Sequence, residues 1–318
     1  MTKRLMLLDS ASMYFRTFYG VPDRYHGVDG TPVNAVRGFL DAMARLLNTY
    51  QPDLLVACWD DDWRPQFRVD LVPTYKAHRV DEQATPSPEA QPHQTQAGEV
   101  EEIPDPLAVQ VPIMADVLAA IGIMRVGAPG FEADDVIAQY ARNHAGPVDI
   151  VTGDRDLFQL VQAQGPNRVL YTAKGFGNIA EVDDAWLAAK YGVTGAQYAD
   201  YSLLRGDSSD GLPGVVGVGE KTASALINNF GSLKEIQEAA TNPDSGMSAN
   251  LRGKVTRSSD YLARAVDVVT LHQEVPVPMP ITALPHDPQH PAELVQLSDQ
   301  YNLEDPANRL LTALARIA

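Results

Sequence analysis

The chain lacks several features that whole classes of protein require. Its 318 residues include one cysteine, Cys58 in the apolar run LLVAC, so neither a disulfide nor a cysteine-rich metal site can form within one chain. No apolar run approaches the roughly 20 residues that a membrane helix needs. The opening MTKRLMLLDS is interrupted by Asp9 and lacks a small-residue cleavage pattern, so we expect no signal peptide and a cytoplasmic protein.

Basic residues are also scarce. The chain has 25 Lys and Arg against 41 Asp and Glu, a net charge of −16, which by itself disfavours a nucleic-acid partner. The acids are unevenly placed, however: seven lie between residues 81 and 105, where no Lys or Arg occurs, and nine belong to the candidate site below. Subtracting those sixteen leaves 25 acidic residues against 25 basic ones. The rest of the chain is therefore neutral and can carry local basic patches.

The first part of the chain alternates apolar strands with amphipathic helices. This alternation predicts an α/β fold, a central and mainly parallel sheet flanked by helices, over residues 1–180. Such sheets bind ligands beyond the carboxyl ends of their strands, and Asp9, Asp60 and Asp154 fall there. The periodicity predicts strands at 4–9, 53–60, 123–126, 148–152 and 168–171, and helices at 33–50, 107–121, 132–144 and 156–163.

Residues 81–105 interrupt this alternation. The segment DEQATPSPEAQPHQTQAGEVEEIPD combines four prolines and seven acids with almost no large apolar side chain. This composition is typical of a segment without its own packed core. We therefore expect a mobile insert there.

Residues 181–318 predict a helical region. Helices are expected at 183–191 and 197–204, followed by a glycine-rich hairpin and a further helix within RGDSSDGLPGVVGVGEKTASALINNF. Residues 275–291 are rich in proline and show no clear periodicity, and residues 291–317 predict a final helix.

Carboxylates crowd the ends of the predicted strands and the starts of the helices. Each one alone is explained as a helix cap, which contributes about 1 kcal/mol. As a group they exceed what capping needs, since two carboxylates 4 Å apart repel by about 1 kcal/mol in water and by about 4 kcal/mol at an effective dielectric of 20. The set predicts a cation site and consists of Asp9, Asp60, Glu132, Asp134, Asp135, Asp154, Asp156, Asp207 and Asp210.

The ligand type narrows the choice of ion. A site made of oxygen ligands favours Mg²⁺, Mn²⁺ or Ca²⁺, whereas Zn²⁺ usually requires His or Cys. None of the seven histidines lies in an acidic motif. A carboxylate site with room for two ions is the arrangement that clamps the attacking and leaving oxygens of a phosphoryl displacement. The sequence therefore predicts hydrolysis of a phosphodiester.

The glycine hairpin GVVGVGEKT, residues 214–222, has two interpretations involving phosphate. A Walker loop requires GK[ST], but Glu220 stands between Gly219 and Lys221, so ATP binding is disfavoured. A tight turn between two helices instead lets backbone amides approach a nucleic-acid backbone without reading its sequence. The plain alternative is a helix connection that uses glycine as a cap.

Taken together, these motifs resemble the 5′-nuclease family, which includes the 5′ to 3′ exonuclease domain of bacterial DNA polymerase I and the flap endonucleases. The matches run in order from about residue 5 to residue 235. They are LLDSASMYFR, CWD near FR, YKAHR, GFEADD, TGDRDLFQL and LLRGDSSDGLPGVVGVGEKTA. The chain ends where polymerase I continues, so the resemblance is to a free-standing bacterial enzyme.

The resemblance implies a PIN-like nuclease core that holds two or three Mg²⁺ or Mn²⁺ ions, with a helix-three-turn-helix DNA-binding hairpin at residues 204–230. It assigns Asp9, Asp60, Glu132 and Asp134 to a first ion. It assigns Asp154, Asp156, Asp207 and Asp210 to a second, with Asp135 contributing directly or through water.

The resemblance also implies roles in holding DNA. Lys76, Arg79 and Arg16 would act near the scissile phosphate, and Tyr75 would stack on a base. The hairpin would coordinate K⁺ through its carbonyls and hold duplex DNA through Gly214, Gly217, Gly219, Lys221 and Thr222.

Two departures from the family stand out. The segment after Arg79, where relatives form an arch or clamp over the 5′ strand, is acidic here, and Gly211 replaces the Asn usual after GDSSD. We expect a monomer that cleaves DNA at 5′ flaps and 5′ ends of nicked or gapped duplexes, and RNA–DNA hybrids in primer removal. The alternatives are a PIN-type ribonuclease and a structure-specific DNA-binding module without catalysis.

Overall fold

A computed structural model describes residues 2–82, 94–95, 97–162, 165 and 167–317. Its central sheet has the strand order β3-β2-β1-β4-β5-β6, and all neighbouring strands are parallel except β5 and β6. The predicted mainly parallel α/β sheet is therefore confirmed. The strands are β1 (Leu5–Asp9), β2 (Leu54–Cys58), β3 (Arg125–Val126), β4 (Val148–Thr152), β5 (Asn167–Tyr171) and β6 (Ala180–Val182).

Helices cover both faces of this sheet and form the region that follows it. Short 3-10 helices at Ala77–Arg79, Asp156–Leu160 and Gly195–Gln197 connect the longer elements. The α-helices are α1 (Ser10–Gly20), α2 (Asn34–Tyr50), α3 (Gln66–Leu71), α4 (Asp105–Ala108), α5 (Gln110–Ile121), α6 (Ala133–Asn143), α7 (Asp184–Tyr191), α8 (Tyr198–Arg205), α9 (Glu220–Phe230), α10 (Leu233–Thr241), α11 (Ala249–Arg257), α12 (Ser259–Val269), α13 (Pro291–Tyr301) and α14 (Glu304–Ile317).

The sheet separates two hydrophobic cores. Successive side chains of a strand point to opposite faces, so Leu5 and Leu7 of β1 enter one core while Met6 and Leu8 enter the other. The first core contains α6 and the helices α7 to α12, and the second contains α1, α2, α5, α13 and α14. Burial on both faces explains why the strands are continuous apolar runs.

The parallel register brings the predicted site together. Asp9 at the end of β1 pairs with Cys58 at the end of β2, and Leu8 pairs with Val151 near the end of β4. The residues that follow these three strands therefore leave the sheet at one edge.

The C-terminal helices differ from the prediction. Residues 291–317 form two helices because Asn302 takes a left-handed conformation, φ 53°, between α13 and α14. Leu294, Leu310 and Leu314 of these helices enter the second core, and α14 packs on α2. The last helices therefore pack on the sheet domain, and the sheet itself extends past residue 180 because β6 ends at Val182.

Part of the predicted mobile insert, residues 83–93 and 96, lies outside the described residues. Its described end makes specific contacts: Gln94 forms an isolated antiparallel β-bridge with Val100, and Glu101 forms another with Val80. Arg64 also donates two hydrogen bonds to the Glu99 carboxylate. This end of the segment therefore packs against the sheet domain. Among the described helices, none has the length and apolar character needed to cross a bilayer.

Candidate active site

The carboxyl ends of the central strands open into an acidic cavity of about 210 Å³. Its walls come from the ends of β1, β2 and β4, from the first turn of α6 and from the segment around Lys76. Five of the nine predicted ligands line this one cavity: Asp9, Asp60, Glu132, Asp134 and Asp154.

Asp9 is held rigidly at the end of β1. It caps α1 by accepting the Ser12 N–H at 3.0 Å, and its second oxygen accepts the Thr152 hydroxyl at 2.6 Å. Burial raises the pKa of Asp9 to about 7 despite these two hydrogen bonds. A carboxyl with so high a pKa lacks the solvation that its charged form needs.

Asp60 and Asp134 face the same cavity from β2 and α6. Asp60 accepts the Ala133 N–H at 2.7 Å, which fixes the start of α6 against the end of β2. Burial raises the pKa of Asp60 to about 6. Burial, reinforced by the charges of Asp154 and Asp9, raises the pKa of Asp134 well above its usual range.

Glu132 precedes α6 and is the most heavily hydrogen-bonded carboxylate of the cavity. Its Oε2 accepts from Arg68 Nη1 at 2.6 Å and from the Tyr75 hydroxyl at 2.7 Å. Its Oε1 accepts from Lys76 Nζ. One oxygen is thus bound by buried donors, while the other is paired with a cation that itself lines the cavity.

Of the second predicted group, Asp154 lines the cavity and Asp156 follows it in the chain. The N–H of Asp156 donates to Asp154 Oδ1 at 2.9 Å, and Asp156 Oδ1 is buried without a hydrogen-bond partner among the described residues. Burial, with Asp154, Asp210 and Asp207, raises the pKa of Asp156 well above its usual range. An unpartnered buried carboxylate oxygen among like charges fits a cation.

Asp207 and Asp210 form ion pairs with basic residues. Asp207 accepts from Arg155 at 3.2 Å and Arg205 at 2.8 Å, and its pKa is lowered because hydrogen bonds from Ser209 and these arginines outweigh its burial. Asp210 accepts from Arg79 at 3.0 Å.

Asp135, like Asp156, Asp207 and Asp210, does not line the cavity. Both of its oxygens accept from Arg68 at 2.8 Å, and Oδ1 also accepts the His272 N–H at 2.9 Å. Burial alone would raise its pKa, but Arg68 and these hydrogen bonds lower it. Its charge is therefore neutralised within the protein.

Of the three basic residues assigned to the scissile phosphate, Lys76 and Arg79 line the cavity and Arg16 does not. The guanidinium of Arg16 donates to the Ala173 carbonyl at 3.0 Å. Arg16 lines a wider cleft of about 870 Å³ between α1, α2 and α14. A shallower groove that shares Ser12 and Phe15 with the acidic cavity leads to Arg16.

A base-stacking role for Tyr75 does not fit this structure. Its ring is 4% exposed, and its hydroxyl is bound to Glu132. The YKAHR motif alone could not separate a stacking tyrosine from a buried one, because both precede the same basic residues.

Glu101 is a cavity residue that the sequence reasoning missed. It lies in the acidic segment that was expected to be mobile, yet it lines the cavity with Lys76 and Arg79. Burial raises its pKa to about 7. The available signal was the return of apolar residues at Val100 and Ile103, which ends the low-complexity composition.

The glycine hairpin connects α8 to α9 as predicted. Gly214 has φ +66°, and a Cβ there would lie 2.5 Å from the Gly206 nitrogen, so the two backbone strands approach too closely for any side chain. Lys254 Nζ donates to the Gly217 carbonyl at 2.8 Å. Lys221 is exposed in the first turn of α9.

The donor set suits a hard divalent cation, because the described residues that line the cavity offer carboxylate oxygens and neither thiolate nor imidazole. Within the described ranges, no three His, Cys, Asp or Glu side chains stand in a ready-made coordination cluster. Carboxylates that share a cavity repel one another and do not close to coordination distance by themselves. The features that fit a cation are the shared cavity, the raised pKa values of its carboxyls and the Asp156 Oδ1 atom.

The raised pKa values predict that the metal-free protein loses stability as pH rises. A carboxyl whose pKa is higher in the folded chain stabilises the fold at low pH, and this contribution is lost as pH rises through the folded pKa. With Asp60 at about 6 and Glu101 at about 7, the melting temperature in EDTA should fall by several degrees between about pH 5 and about pH 8. The Asp60→Asn variant should show a flatter profile, and a rise over this range would contradict the assignment.

Comparison with known proteins places the whole chain in one family. Residues 4–192 match the 5′-3′ exonuclease N-terminal resolvase-like domain, and residues 193–292 match the 5′-3′ exonuclease C-terminal SAM fold. A 5′-3′ exonuclease of Streptomyces coelicolor is 52% identical over 97% of this chain and 99% of its own length. A 5′-3′ exonuclease of Mycobacterium tuberculosis is 46% identical over 99% and 98%.

DNA polymerase I of Mycobacterium bovis is 35% identical over 98% of this chain, which corresponds to 32% of the polymerase. Among solved structures, T5 5′-exonuclease with bound zinc shares the fold at a TM-score of 0.63 and 17% identity, with 99% of each chain covered. The catalytic core of Rad2 with DNA substrate has a TM-score of 0.61 and 17% identity, covering 100% of this chain and 93% of that one. By its sequence and its fold, the chain belongs to the 5′-3′ exonuclease family.

Proposed function

We propose that this protein is a divalent-metal-dependent 5′ nuclease that hydrolyses DNA at 5′ flaps and 5′ ends. The observation that carries the proposal is the acidic cavity itself, where six carboxylates, Lys76 and Arg79 converge at the carboxyl edge of the sheet. The relatives named 5′-3′ exonuclease support the reaction class. A T5 flap endonuclease solved with DNA and metal ions supports both the substrate and the cofactor.

The proposal assigns two groups of ligands to two ions, Mg²⁺ or Mn²⁺, and leaves room for a third. A bound divalent ion lowers the pKa of a coordinated water and offsets negative charge on a phosphate. Asp156 is the member of the second group best suited to an ion, because no described residue donates a hydrogen bond to its Oδ1. The first group is Asp9, Asp60, Glu132 and Asp134, and the second is Asp154, Asp156, Asp207 and Asp210, with Asp135 acting only through Arg68.

Lys76 and Arg79 provide the positive charge that meets the scissile phosphate. Each is paired with a carboxylate of the site, Lys76 with Glu132 and Arg79 with Asp210. These pairs hold both cations at the cavity wall, where donors placed before the reaction stabilise charge that develops in the transition state. Arg16, in the adjoining cleft, would contact a phosphate farther along the same strand.

In this proposal the sheet domain, residues 1–180, supplies most of the catalytic residues. The helical region from residue 181 adds Asp207 and Asp210, and its hairpin at 204–230 holds duplex DNA. Residues Gly214, Gly217, Gly219, Lys221 and Thr222 would contact the backbone of one strand. The first turn of α9 offers its amides to a phosphate. Because Lys254 already donates to the Gly217 carbonyl, any K⁺ there would share that oxygen with an ammonium.

The hairpin assignment predicts the effect of Lys221→Ala. Loss of one phosphate contact should weaken duplex binding about threefold to tenfold. The slope of log affinity against log salt concentration should decrease by about one. The cleavage rate at saturating DNA should not change. The matched control is Lys3→Ala. Lys3 is exposed and lies before the first residue of β1, at the end of the strand opposite to the acidic cavity. Equal DNA affinity for both variants would remove Lys221 from the interface.

The substrates we propose are 5′-flap, nicked and gapped duplexes, with RNA–DNA hybrids as a further class, bound by a monomer in the cytoplasm near the nucleoid. Cleavage of a 5′-labelled double-flap DNA with Mg²⁺, with Mn²⁺ and with EDTA tests the proposal. Metal-dependent release of a flap fragment is expected. Tight binding without cleavage would favour a binding module, and preferential cleavage of single-stranded RNA would favour a PIN-type ribonuclease.

A further inference from the structure

The two oxygens of Glu132 lie in different environments. Oε2 accepts from Arg68 Nη1 at 2.6 Å and from the Tyr75 hydroxyl at 2.7 Å, whereas Oε1 meets Lys76, which lines the cavity. Neither Arg68 nor Tyr75 lines the cavity. Both therefore reach the site through Glu132, and the Tyr75 ring also lies 5.2 Å from the Lys76 ammonium, a contact that phenylalanine would keep.

Arg68 cannot easily turn away from Glu132. It is 2% exposed, and each of its three nitrogens has a buried acceptor. Nε donates to the Val268 carbonyl at 3.0 Å, and Nη1 and Nη2 donate to the two Asp135 oxygens at 2.8 Å. Asp135 is in turn fixed by the His272 N–H at 2.9 Å. The guanidinium is thus anchored to α6 and to the end of α12.

Tyr75 is anchored just as firmly. Its backbone N–H donates to the Val72 carbonyl at 2.8 Å, and its carbonyl accepts from Arg64 Nε at 2.6 Å. Both contacts fix the backbone from which the ring enters the first core. The hydroxyl therefore reaches Glu132 from a fixed direction.

We infer that Arg68 and Tyr75 are positioning residues, which hold Glu132 Oε2 so that Oε1 is presented to a divalent ion. This inference rests on the proposed function. A carboxylate with one oxygen pinned by two donors loses little freedom when the other binds an ion, and partners of this kind usually change metal affinity by about 10- to 100-fold. The competing explanation is a buried ion-pair network that serves folding alone.

Tyr75→Phe separates these explanations. The substitution keeps the aromatic ring and removes only the hydroxyl. The readout is Mn²⁺ binding to the DNA-free protein, followed by electron paramagnetic resonance, and we expect about tenfold weaker binding. Cleavage of flap DNA should then require about tenfold more Mn²⁺ and recover at saturating metal. A residue that only stacked on a base would leave Mn²⁺ binding unchanged in this variant.

Tyr140→Phe is the matched control. Tyr140 lies in α6, is buried, and donates its hydroxyl to the Pro278 carbonyl at 2.9 Å, away from the cavity. The Tyr140→Phe variant should lose about as much stability as Tyr75→Phe, but it should bind Mn²⁺ like the wild type. Equal Mn²⁺ affinity for all three proteins would overturn the inference.

Arg68→Lys provides a second measurement. A lysine keeps the charge but cannot bind Glu132, Asp135 and the Val268 carbonyl together, so Mn²⁺ affinity should fall at least as far as in Tyr75→Phe. If Arg68→Lys does not fold, Tyr75→Phe decides the question alone. A wild type that cleaves no DNA and binds no Mn²⁺ would refute the proposed function itself, a result distinct from equal affinities.

Discussion

Replacing Asp154 with asparagine should lower cleavage of a 5′-flap DNA by about 10³-fold or more without unfolding the protein. Asp154 lines the cavity and neighbours both proposed ion sites. Loss of its charge removes several kcal/mol of metal-dependent stabilisation, and each 1.36 kcal/mol corresponds to about tenfold in rate. Asparagine keeps an oxygen for the Asp156 N–H, which donates to Asp154 Oδ1 at 2.9 Å.

The same variant should be more stable than the wild type when metal is removed. Besides burial, the charge of Asp154 raises the pKa of Asp134 and of Asp156, so its removal relieves repulsion. Thermal melts in EDTA and single-turnover cleavage with saturating Mg²⁺ check both effects. The control is Asp183→Asn, which alters the N-cap of α7 far from the cavity and retains a good capping residue. Cleavage by Asp154→Asn at the wild-type rate would remove this residue from the site.

Lys76→Met should lower the rate of the chemical step by about 10²- to 10³-fold, as expected when a donor that stabilises transition-state charge is lost. Lys76 carries its ammonium into the cavity beside Glu132. Burial disfavours that charge, but Glu132 raises the pKa of Lys76 well above its usual range, so it stays protonated at neutral pH.

Lys76→Met should destabilise the metal-free protein, because it leaves Glu132 with an unpaired oxygen in a buried site. This expected change in the stability of the metal-free protein is opposite in sign to that of Asp154→Asn, although both variants should lose activity. Single-turnover cleavage at saturating DNA and metal isolates the chemical step. The control is Lys234→Met, since Lys234 is exposed on α10 and pairs only weakly with Glu238. Equal cleavage rates for Lys76→Met and Lys234→Met would show that Lys76 does not act on the phosphate.

The long strands and helices of the sheet domain were predictable from sequence, because each depends on a pattern of apolar residues within its own segment. Continuous apolar runs predicted the buried strands, and the spacing in Val33–Tyr50 predicted α2, which begins one residue later at Asn34. The short antiparallel strand β6 was not predicted, since Ala180–Val182 has neither the length nor the apolar run of the others. The break at Asn302 was also missed, because one left-handed residue leaves helical periodicity on both sides intact.

The residue types and their order along the chain already indicate the chemistry: carboxylates at strand ends, a basic YKAHR motif and a glycine hairpin, all in family order. Which of the carboxylates share the cavity depends on how the elements pack. Asp134 and Asp135 are neighbours in the chain, yet consecutive helical residues point in directions about 100° apart. Asp134 therefore faces the cavity, whereas Asp135 meets Arg68, and no local pattern reveals that partner because it lies 67 residues away.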